Sequence, residues 1–284
     1  PMAPPHVVVN VMTDPVPSSL FYFRDETKAA SSSSDVSLIS LVLGGSAPSS
    51  SSASSSASSS SGLVPTLILP AVGAGDGIPQ LAVDLIIHAH AMKRIGYLHD
   101  ADVPAVVGRA PYGRNEEKCS TSMEVYAAGH VAVIQQRAPA DAGKALAAAR
   151  RVAAWAAMVG FKRAVCLGDV DAGAAMRGAA AGPPLRRWPP EVRVDDRVAA
   201  VAPIADAELF GPLPPEERHL GPWPLVRELE DSGVSAFAIA AVNQRGDDPA
   251  RAATALADVA VDAVGLPKPE SWRAPPSWAH VLFS

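Results

Sequence analysis

Apolar residues recur along this chain in two alternating patterns, short strand-length runs and longer segments with helical spacing. The apolar run at residues 65–72 is followed by a glycine-rich turn and by residues 79–93, where Leu81 and Leu85 recur at helical spacing. Pro79 suits the first helical position, because its missing N–H would have no partner there. The pattern therefore predicts a strand, a turn and a helix in succession.

The same alternation continues towards the C-terminus. It predicts strands at residues 95–98, 123–127, 130–135, 164–167 and 234–242, and helices at residues 141–159, 224–231 and 249–264. The two strands around Gly129 are expected to pair, and Asp141 is expected to cap the helix that follows it. Strands that alternate with helices of this length predict a single-domain, three-layer α/β fold, with a mostly parallel central sheet flanked by helices.

Two segments precede this regular part of the chain. Residues 1–45 contain strand-like runs at 19–23 and 36–43, which are expected to join the core as a hairpin or sheet edge. Residues 46–62 are almost pure serine and alanine, and such a segment cannot bury enough apolar area to offset the ordering of its backbone. We therefore expect it to be a disordered loop.

The remaining segments are the α/β core at residues 63–264 and a C-terminal tail at residues 265–284. Within the core, residues 172–222 are rich in proline and arginine and are expected to form an irregular insertion, with a strand at 199–203. The tail contains four prolines and two tryptophans. We expect an extended tail, held against a surface by its tryptophan side chains rather than by its own hydrogen bonds.

Composition and charge exclude several classes of function. The formal net charge is −5, and lysine and arginine are scattered, so no basic face is available for nucleic acid. No apolar stretch reaches the roughly 18 residues of a membrane span, and no secretory signal is recognisable, so neither membrane spanning nor secretion is expected. Cys119 and Cys166 lack metal-ligand spacing, which favours a reduced, cytosolic or nuclear protein without a metal site.

The glycine-rich turn from Gly73 to Gly77 invites comparison with a dinucleotide-binding fold, in which Asp100 or Asp102 would stand near the ribose. That fingerprint requires a third glycine where this chain has Ile78. A tight structural turn is therefore favoured, and a small-molecule or nucleotide-binding enzyme that uses residues 73–77 is the alternative.

Other catalytic patterns are weak. Asp169 and Asp171 flank the end of a strand, where ligands bind in open sheets, but acids there more often cap the next turn. His88 and His90 lie on opposite sides of a helix and make a poor metal pair. The chain also has no Gly-x-Ser-x-Gly elbow. These observations favour a binding protein, with no catalytic residues and no cofactor.

Blocks of sequence in both halves of the chain resemble the proteasome assembly chaperone 2 family. The similar blocks are residues 67–73, 80–87, 95–98, 103–108, 111–112 and 124–126, then residues 221–229, 237–242, 246–247, 253–264, 276–278 and 282–283. The chain departs from the family's pattern in the serine-rich loop, in the long N-terminal region and in the proline- and arginine-rich middle.

The resemblance implies a chaperone rather than an enzyme. A member of this family would pair with proteasome assembly chaperone 1 as a heterodimer. It would hold proteasome alpha subunits while the alpha ring of the 20S core particle forms, and so prevent their off-pathway association. An α/β scaffold without a catalytic constellation agrees with such a role.

Two groups of residues are candidates for partner binding. Val103, Val106, Pro111 and Tyr112 belong to a segment with more apolar residues than one sheet face requires, and we expect them to be buried against the partner chaperone. The alternative is that they close the chain's own core, which is the usual place of apolar residues.

The second group is Leu282, Phe283 and Ser284, which have the form hydrophobic, aromatic, any residue. They resemble the terminal motif with which proteasome regulators and assembly chaperones enter pockets between alpha subunits, although the family's usual second residue is tyrosine. The alternative is that this tail folds back onto the chain's own surface.

Overall fold

The computed structural model describes residues 7–9, 20–23, 64–71, 77–113, 119–171, 185–189, 194–202, 222–243 and 247–280. Its strands are β1 (Val7–Val9), β2 (Leu20–Phe23), β3 (Thr66–Pro70), β4 (Lys93–His99), β5 (Val107–Arg109), β6 (Cys119–Thr121), β7 (Met123–Ala128), β8 (Val131–Gln136), β9 (Arg163–Asp171), β10 (Leu185–Trp188) and β11 (Ser235–Asn243). Its helices are α1 (Ile78–Ala89), α2 (Ala145–Val159), α3 (Asp196–Val201), α4 (Trp223–Asp231), α5 (Pro249–Val264) and a 3₁₀ helix (Pro276–His280).

The main sheet runs in the order β1-β2-β4-β7-β8-β3-β9-β11-β10, and β5 and β6 form a separate two-stranded sheet. Among the described strands, only the pairings of β3 with β8, β3 with β9 and β9 with β11 are parallel. The described pairings towards both edges are antiparallel. The α/β class is confirmed, but the sheet is mixed and parallel at its centre only.

Chain connections explain the mixed sheet. A tight turn joins β7 to β8, with Gly129 at φ 59°, and a connection this short can pair strands only in antiparallel fashion. The pairing predicted around Gly129 is thereby confirmed. The parallel neighbours β9 and β11 are instead separated by a long crossover that contains α4.

Alternation of side chains along the central strands builds the three layers. In β3, Ile68 points into a core with α1 and α5, whereas Leu67 and Leu69 point into a core with α2 and α4 on the other face. Both cores are apolar and buried, as a sheet covered on two faces requires. The three-layer arrangement is therefore confirmed.

Several local expectations need correction. The second helix begins at Ala145, with Lys144 at its N-cap and no side-chain cap, so Asp141 does not cap it. Asp141 lies in the preceding turn, where its carbonyl accepts from the Lys144 amide and its amide donates to the Asp102 carbonyl. Within residues 172–222, expected to be irregular, the described residues include β10 and α3. Residues 199–201, predicted as strand, are helical.

The tail and the N-terminal segments agree in part with expectation. Trp272 donates to Asp258 and Trp278 is buried, so tryptophan side chains hold the described part of the tail. That part is not extended throughout, because it contains the 3₁₀ helix at residues 276–280. The run at 19–23 forms the sheet strand β2. The run at 36–43 and the serine-rich loop at 46–62 lie outside the described residues.

Candidate partner-docking surface

A short ribbon built by β5 and β6 presents apolar side chains at the surface. Val107 pairs with Thr121 and Arg109 with Cys119 in antiparallel register. Val107 is 76% exposed and the preceding Val106 is 41% exposed. The exposed β-branched residues Val106, just before the strand, and Val107, its first residue, are adjacent, and we take them as a candidate contact surface.

An apolar groove of about 560 Å³ lies beside this ribbon. Its wall comes from the segment that leads into β5, and its floor from β4 and the start of β7. The lining residues are Tyr97, Leu98, His99, Asp100, Val103, Ala105, Val106, Val107, Cys119, Thr121, Ser122 and Met123. Of the four predicted residues in the first group, the groove brings together Val103 and Val106.

Hydrogen bonds fix the wall of the groove. The Val106 amide donates to Ser122 Oγ at 2.8 Å, and the Ser122 hydroxyl donates in turn to the Pro104 carbonyl. One serine therefore holds both ends of this three-residue segment, although its residues pair with no described strand. The valines stand on a constrained backbone and need little reordering on binding.

An ion-pair cluster holds the residues just before this segment. Arg151 on α2 donates to both carboxylate oxygens of Asp100 and to Asp102 Oδ2 at 2.6 Å. These hydrogen bonds, with Asp100 foremost, raise the pKa of Arg151. Both carboxylates are hydrogen-bonded to the one guanidinium, and this disfavours them as acceptors for a ribose hydroxyl in the nucleotide-binding alternative.

Pro111 and Tyr112 lie in the chain's own core rather than on its surface. Tyr112 is packed edge-on against Tyr126 at a ring distance of 5.5 Å and its hydroxyl donates to Asp84 Oδ1 at 2.7 Å. Burial raises the pKa of Tyr112 well above its ordinary value. Val103 is also buried in the core, where it only underlies the groove. Of these four residues, Val106 is exposed enough to contact a partner directly, and the other three are buried in the core.

The Asp84 carboxylate on α1 is the centre of a buried polar network. Besides Tyr112, Gln135 Nε2 donates to Asp84 Oδ1 at 2.6 Å and Arg137 Nη2 at 3.1 Å. Trp278 Nε1 donates to Asp84 Oδ2 at 3.4 Å. Sequence reasoning missed this network, whose signal was a lone carboxylate inside the apolar run of a predicted helix.

A second buried pair ties β4 to the ribbon. Arg94 donates to Glu124 Oε1 at 2.6 Å and to the Cys119 carbonyl at 2.8 Å. Burial raises the pKa of Glu124, although the charge of Arg94 acts in the opposite direction. The buried Tyr126 hydroxyl also donates to this carboxylate.

The remaining candidates that the structure describes include two cysteines, a histidine and a glycine. Cys166 is buried, which raises the pKa of its thiol, whereas Cys119 is exposed beside the groove. His88 stacks on the Tyr112 ring. Of the glycine-rich turn, Gly77 is described, at the start of α1 with φ 74°. Across the residues that the structure describes, no group of three histidine, cysteine or acidic side chains could hold a metal ion.

Leu282, Phe283 and Ser284 lie outside the described residues, as do residues 72–76. In the described part of the chain, no helix is long and apolar enough to cross a membrane.

The sequence of this chain is similar to a known protein family and to named proteins from several organisms. The chain matches the PAC2 family over residues 67–271. It is 38% identical over 128 residues to a Nematostella vectensis protein named "Proteasome assembly chaperone 2", covering 43% of this chain and 52% of the relative. A Danio rerio protein of the same name is 39% identical over 112 residues, which are 38% and 43% of the two chains. The chain thus spans about half the length of the curated relatives it matches.

Solved structures share the fold. Pyrococcus furiosus PbaA, described as "an archaeal homolog of proteasome-assembly chaperone", superposes with a TM-score of 0.54 at 13% identity, over 73% of this chain and 84% of PbaA. A protein of unknown function from Thermoplasma acidophilum superposes with a TM-score of 0.55 at 14% identity, over 73% and 79% of the two chains. At this identity the likeness concerns the fold alone.

Proposed function

This chain belongs to the PAC2 family, and we propose that it acts as a proteasome assembly chaperone. In this proposal it pairs with proteasome assembly chaperone 1 as a heterodimer and holds proteasome alpha subunits during assembly of the 20S alpha ring. It has no catalytic step and uses no cofactor, and neither nucleic acid nor membrane is a partner. Its place of action is the cytoplasm or the nucleus.

The observation that carries the proposal is the family match over residues 67–271, which contains both faces of the sheet and the groove. Relatives at 38% and 39% identity are named for this activity, and their matched regions cover about half of each relative. A function transferred from a partial match needs its own test, because one fold can serve many functions.

The groove beside the ribbon is where we place the partner chaperone. An isolated chain that leaves Val107 76% exposed and Val106 41% exposed loses the hydrophobic stabilisation of burying them, about 1.5–3 kcal/mol for a fully buried valine side chain. A partner whose apolar side chains enter the groove would recover that stabilisation. The hydrogen-bonded backbone of this surface favours binding, since little conformational entropy is lost there.

We place the contact with alpha subunits at residues 282–284. In this proposal the Phe283 ring would enter a pocket between two subunits, and Leu282 would cover the apolar rim of that pocket. The prolines of the tail reduce the entropy lost when the segment becomes ordered.

The test is co-expression of the tagged chain with proteasome assembly chaperone 1 and alpha subunits, followed by size exclusion and native mass spectrometry. We expect a one-to-one chaperone pair that carries alpha subunits. Val107→Asp should weaken the pair at least about tenfold, which corresponds to about 1.4 kcal/mol. The matched control is Val201→Asp on α3, since Val201 is 45% exposed and does not line the groove.

Recovery of neither the partner chaperone nor alpha subunits would refute the proposal. A thermal shift on adding nucleotides, together with that failure, would favour the nucleotide-binding alternative. An equal loss of pairing in the two valine variants would leave the chaperone role standing and remove the groove from it.

A further inference from the structure

The strand β4, which contributes to the floor of the groove, contains a β-bulge. Its register with β7 shifts between Arg94 and Gly96, so Ile95 is an extra residue in the strand. In a regular strand, Arg94 and Tyr97 would point to opposite faces of the sheet, because they are three residues apart. Here they pair with two alternate residues of β7, which share one face. The bulge therefore brings the side chains of Arg94 and Tyr97 to the same face.

This placement lets Arg94 contact two residues of the groove at once. Its guanidinium lies over the Tyr97 ring, 4.8 Å from the ring centroid. Its Nη1 also donates to the Cys119 carbonyl on β6 at 2.8 Å. Among the described residues, Tyr97 and Cys119 line the groove, whereas Arg94 does not. One side chain outside the lining thus links the floor of the groove to the ribbon.

Arg94 is itself held in one orientation. Its side chain is 3% exposed, and the carboxylate of its partner Glu124 is fully buried at 2.6 Å. Burial opposes the positive charge of Arg94, but Glu124 outweighs that effect, so the pKa of Arg94 is raised. The Tyr126 hydroxyl donates to the other Glu124 oxygen at 2.9 Å and fixes the carboxylate. The bond from Arg94 to the ribbon is therefore made by a charged and immobilised donor.

We propose that Arg94 is a positioning residue for partner binding, which holds the ribbon and Tyr97 in the arrangement that the partner chaperone meets at the groove. The ribbon forms a sheet separate from the main one, so its placement depends on side-chain links of this kind. A surface that is ordered before binding loses less conformational entropy when the partner arrives. This inference rests on the proposed function, in which the partner chaperone binds at the groove.

The first test measures the affinity of the Arg94→Lys variant for purified proteasome assembly chaperone 1 by isothermal titration calorimetry. Lysine keeps a positive charge beside Glu124, but it has no planar group that could stack on Tyr97 while donating to the Cys119 carbonyl. We expect the affinity to fall at least about fivefold. An affinity within about twofold of the native chain would overturn the proposal.

A matched control is available on β9. The Arg163 guanidinium lies 5.3 Å from the centroid of the Phe237 ring, and Arg163 is not among the described residues that line the groove. Arg163→Lys should therefore leave the affinity within about twofold of the native value. Equal weakening by the two lysine variants would overturn the proposal, because loss of a stacked arginine anywhere in the fold would then have the same effect.

A second measurement distinguishes positioning from a general loss of stability, and it needs no partner. In Arg94→Lys, the amides of β5 and β6 should exchange hydrogen at least about fivefold faster, and those of β3 and β9 should stay within about twofold of the native chain. Unchanged exchange in the ribbon would overturn the proposal. So would a uniform increase in all four strands, since Arg94 would then act through the whole fold.

A double variant keeps the test decisive if Arg94→Lys does not fold. Arg94→Met combined with Glu124→Gln removes the ion pair as a unit and leaves no unpaired buried charge. It should show the same loss of affinity and the same local exchange in the ribbon, and native behaviour in both would overturn the proposal.

Failure of this inference can be told apart from failure of the proposed function. A native chain that binds proteasome assembly chaperone 1, with an Arg94 variant that binds equally well, removes only the positioning role. A native chain that does not bind this chaperone refutes the proposed pairing and, with it, the positioning role, whatever the exchange of the ribbon amides.

Discussion

The cluster of Arg151 with Asp100 and Asp102 should be one of the largest single contributors to the stability of the groove. Arg151 is 9% exposed and makes a two-pronged contact with Asp100, which is 3% exposed, plus a third bond to Asp102. The neighbouring Arg150 offers an internal comparison, because it lies on the same helix, is 64% exposed and makes a single pair with Glu228 at 3.1 Å.

The two arginines should respond very differently to replacement by alanine. Removing Arg151 leaves the buried Asp100 carboxylate with the Asp102 amide as a remaining donor, at 2.8 Å. Breaking a buried pair by removing one partner costs about 3–5 kcal/mol, and the remaining amide places the expected loss near the lower end, about 3 kcal/mol. Removing Arg150 should cost about 0–1 kcal/mol, since its pair is screened by water.

Urea denaturation followed by tryptophan fluorescence measures both variants against the native chain, with free energies from linear extrapolation. Arg151→Lys separates charge from geometry, because lysine keeps the charge but cannot make the two-pronged contact, and it should fall between the native chain and Arg151→Ala. Equal losses for the two alanine variants would refute the reasoning. So would a lysine variant as stable as the native chain, since planar geometry would then be irrelevant.

Three further predictions follow from burial and close contact. Gly168→Ala should lower the free energy of unfolding by about 1–3 kcal/mol, because a Cβ would stand 2.6 Å from Cγ of the rigid Pro222 ring. An unchanged urea midpoint would contradict this. A thiol reagent should modify the exposed Cys119 in the native chain and the buried Cys166 only after unfolding, so two fast-reacting thiols would contradict the structure. Burial raises the pKa of Tyr112, so its hydroxyl ionises at a lower pH in the unfolded chain than in the folded one, and the free energy of unfolding falls as pH rises above about 10. Tyr112→Phe should reduce that fall, measured as the difference between urea midpoints at about pH 9 and 11. An equal difference in the native chain and the variant would contradict this.

Regular elements were predictable because each has a local cause. The helix predicted at residues 249–264 is α5 with the same bounds, since Asp248 accepts from the Ala250 amide at its start and Gly265 ends it at φ 72°. The helix predicted from Asp141 begins later, at Ala145, because Asp141 lies in a turn whose carbonyl accepts from the Lys144 amide. The Asp141 amide donates to the Asp102 carbonyl, almost forty residues away in sequence. A local capping signal thus fails where a long-range contact holds the residue in a turn before the helix.

Exposure within an apolar segment was the other quantity that the sequence could not supply. Val106 and Tyr112 both belong to the segment predicted to meet a partner, yet one is 41% exposed and the other is buried. Their difference arises from acceptors elsewhere in the chain: Asp84 draws the Tyr112 hydroxyl inward, while Ser122 holds the Val106 backbone at the surface. No periodicity in residues 103–112 contains that information.

The position of Asp84 links these two outcomes to the tail. A carboxylate buried on the apolar face of α1 would strongly destabilise the fold without donors, because desolvation of an unpaired charge costs several kcal/mol. Its donors come from the segment after β5, from the end of β8 and from the tail. Asp84, a charged residue on the apolar face of its helix, therefore specifies where three segments that are distant in sequence meet. A neutral apolar residue at that position could pack as well, but it would give the tail indole no fixed acceptor and the ribbon's base no common point of attachment.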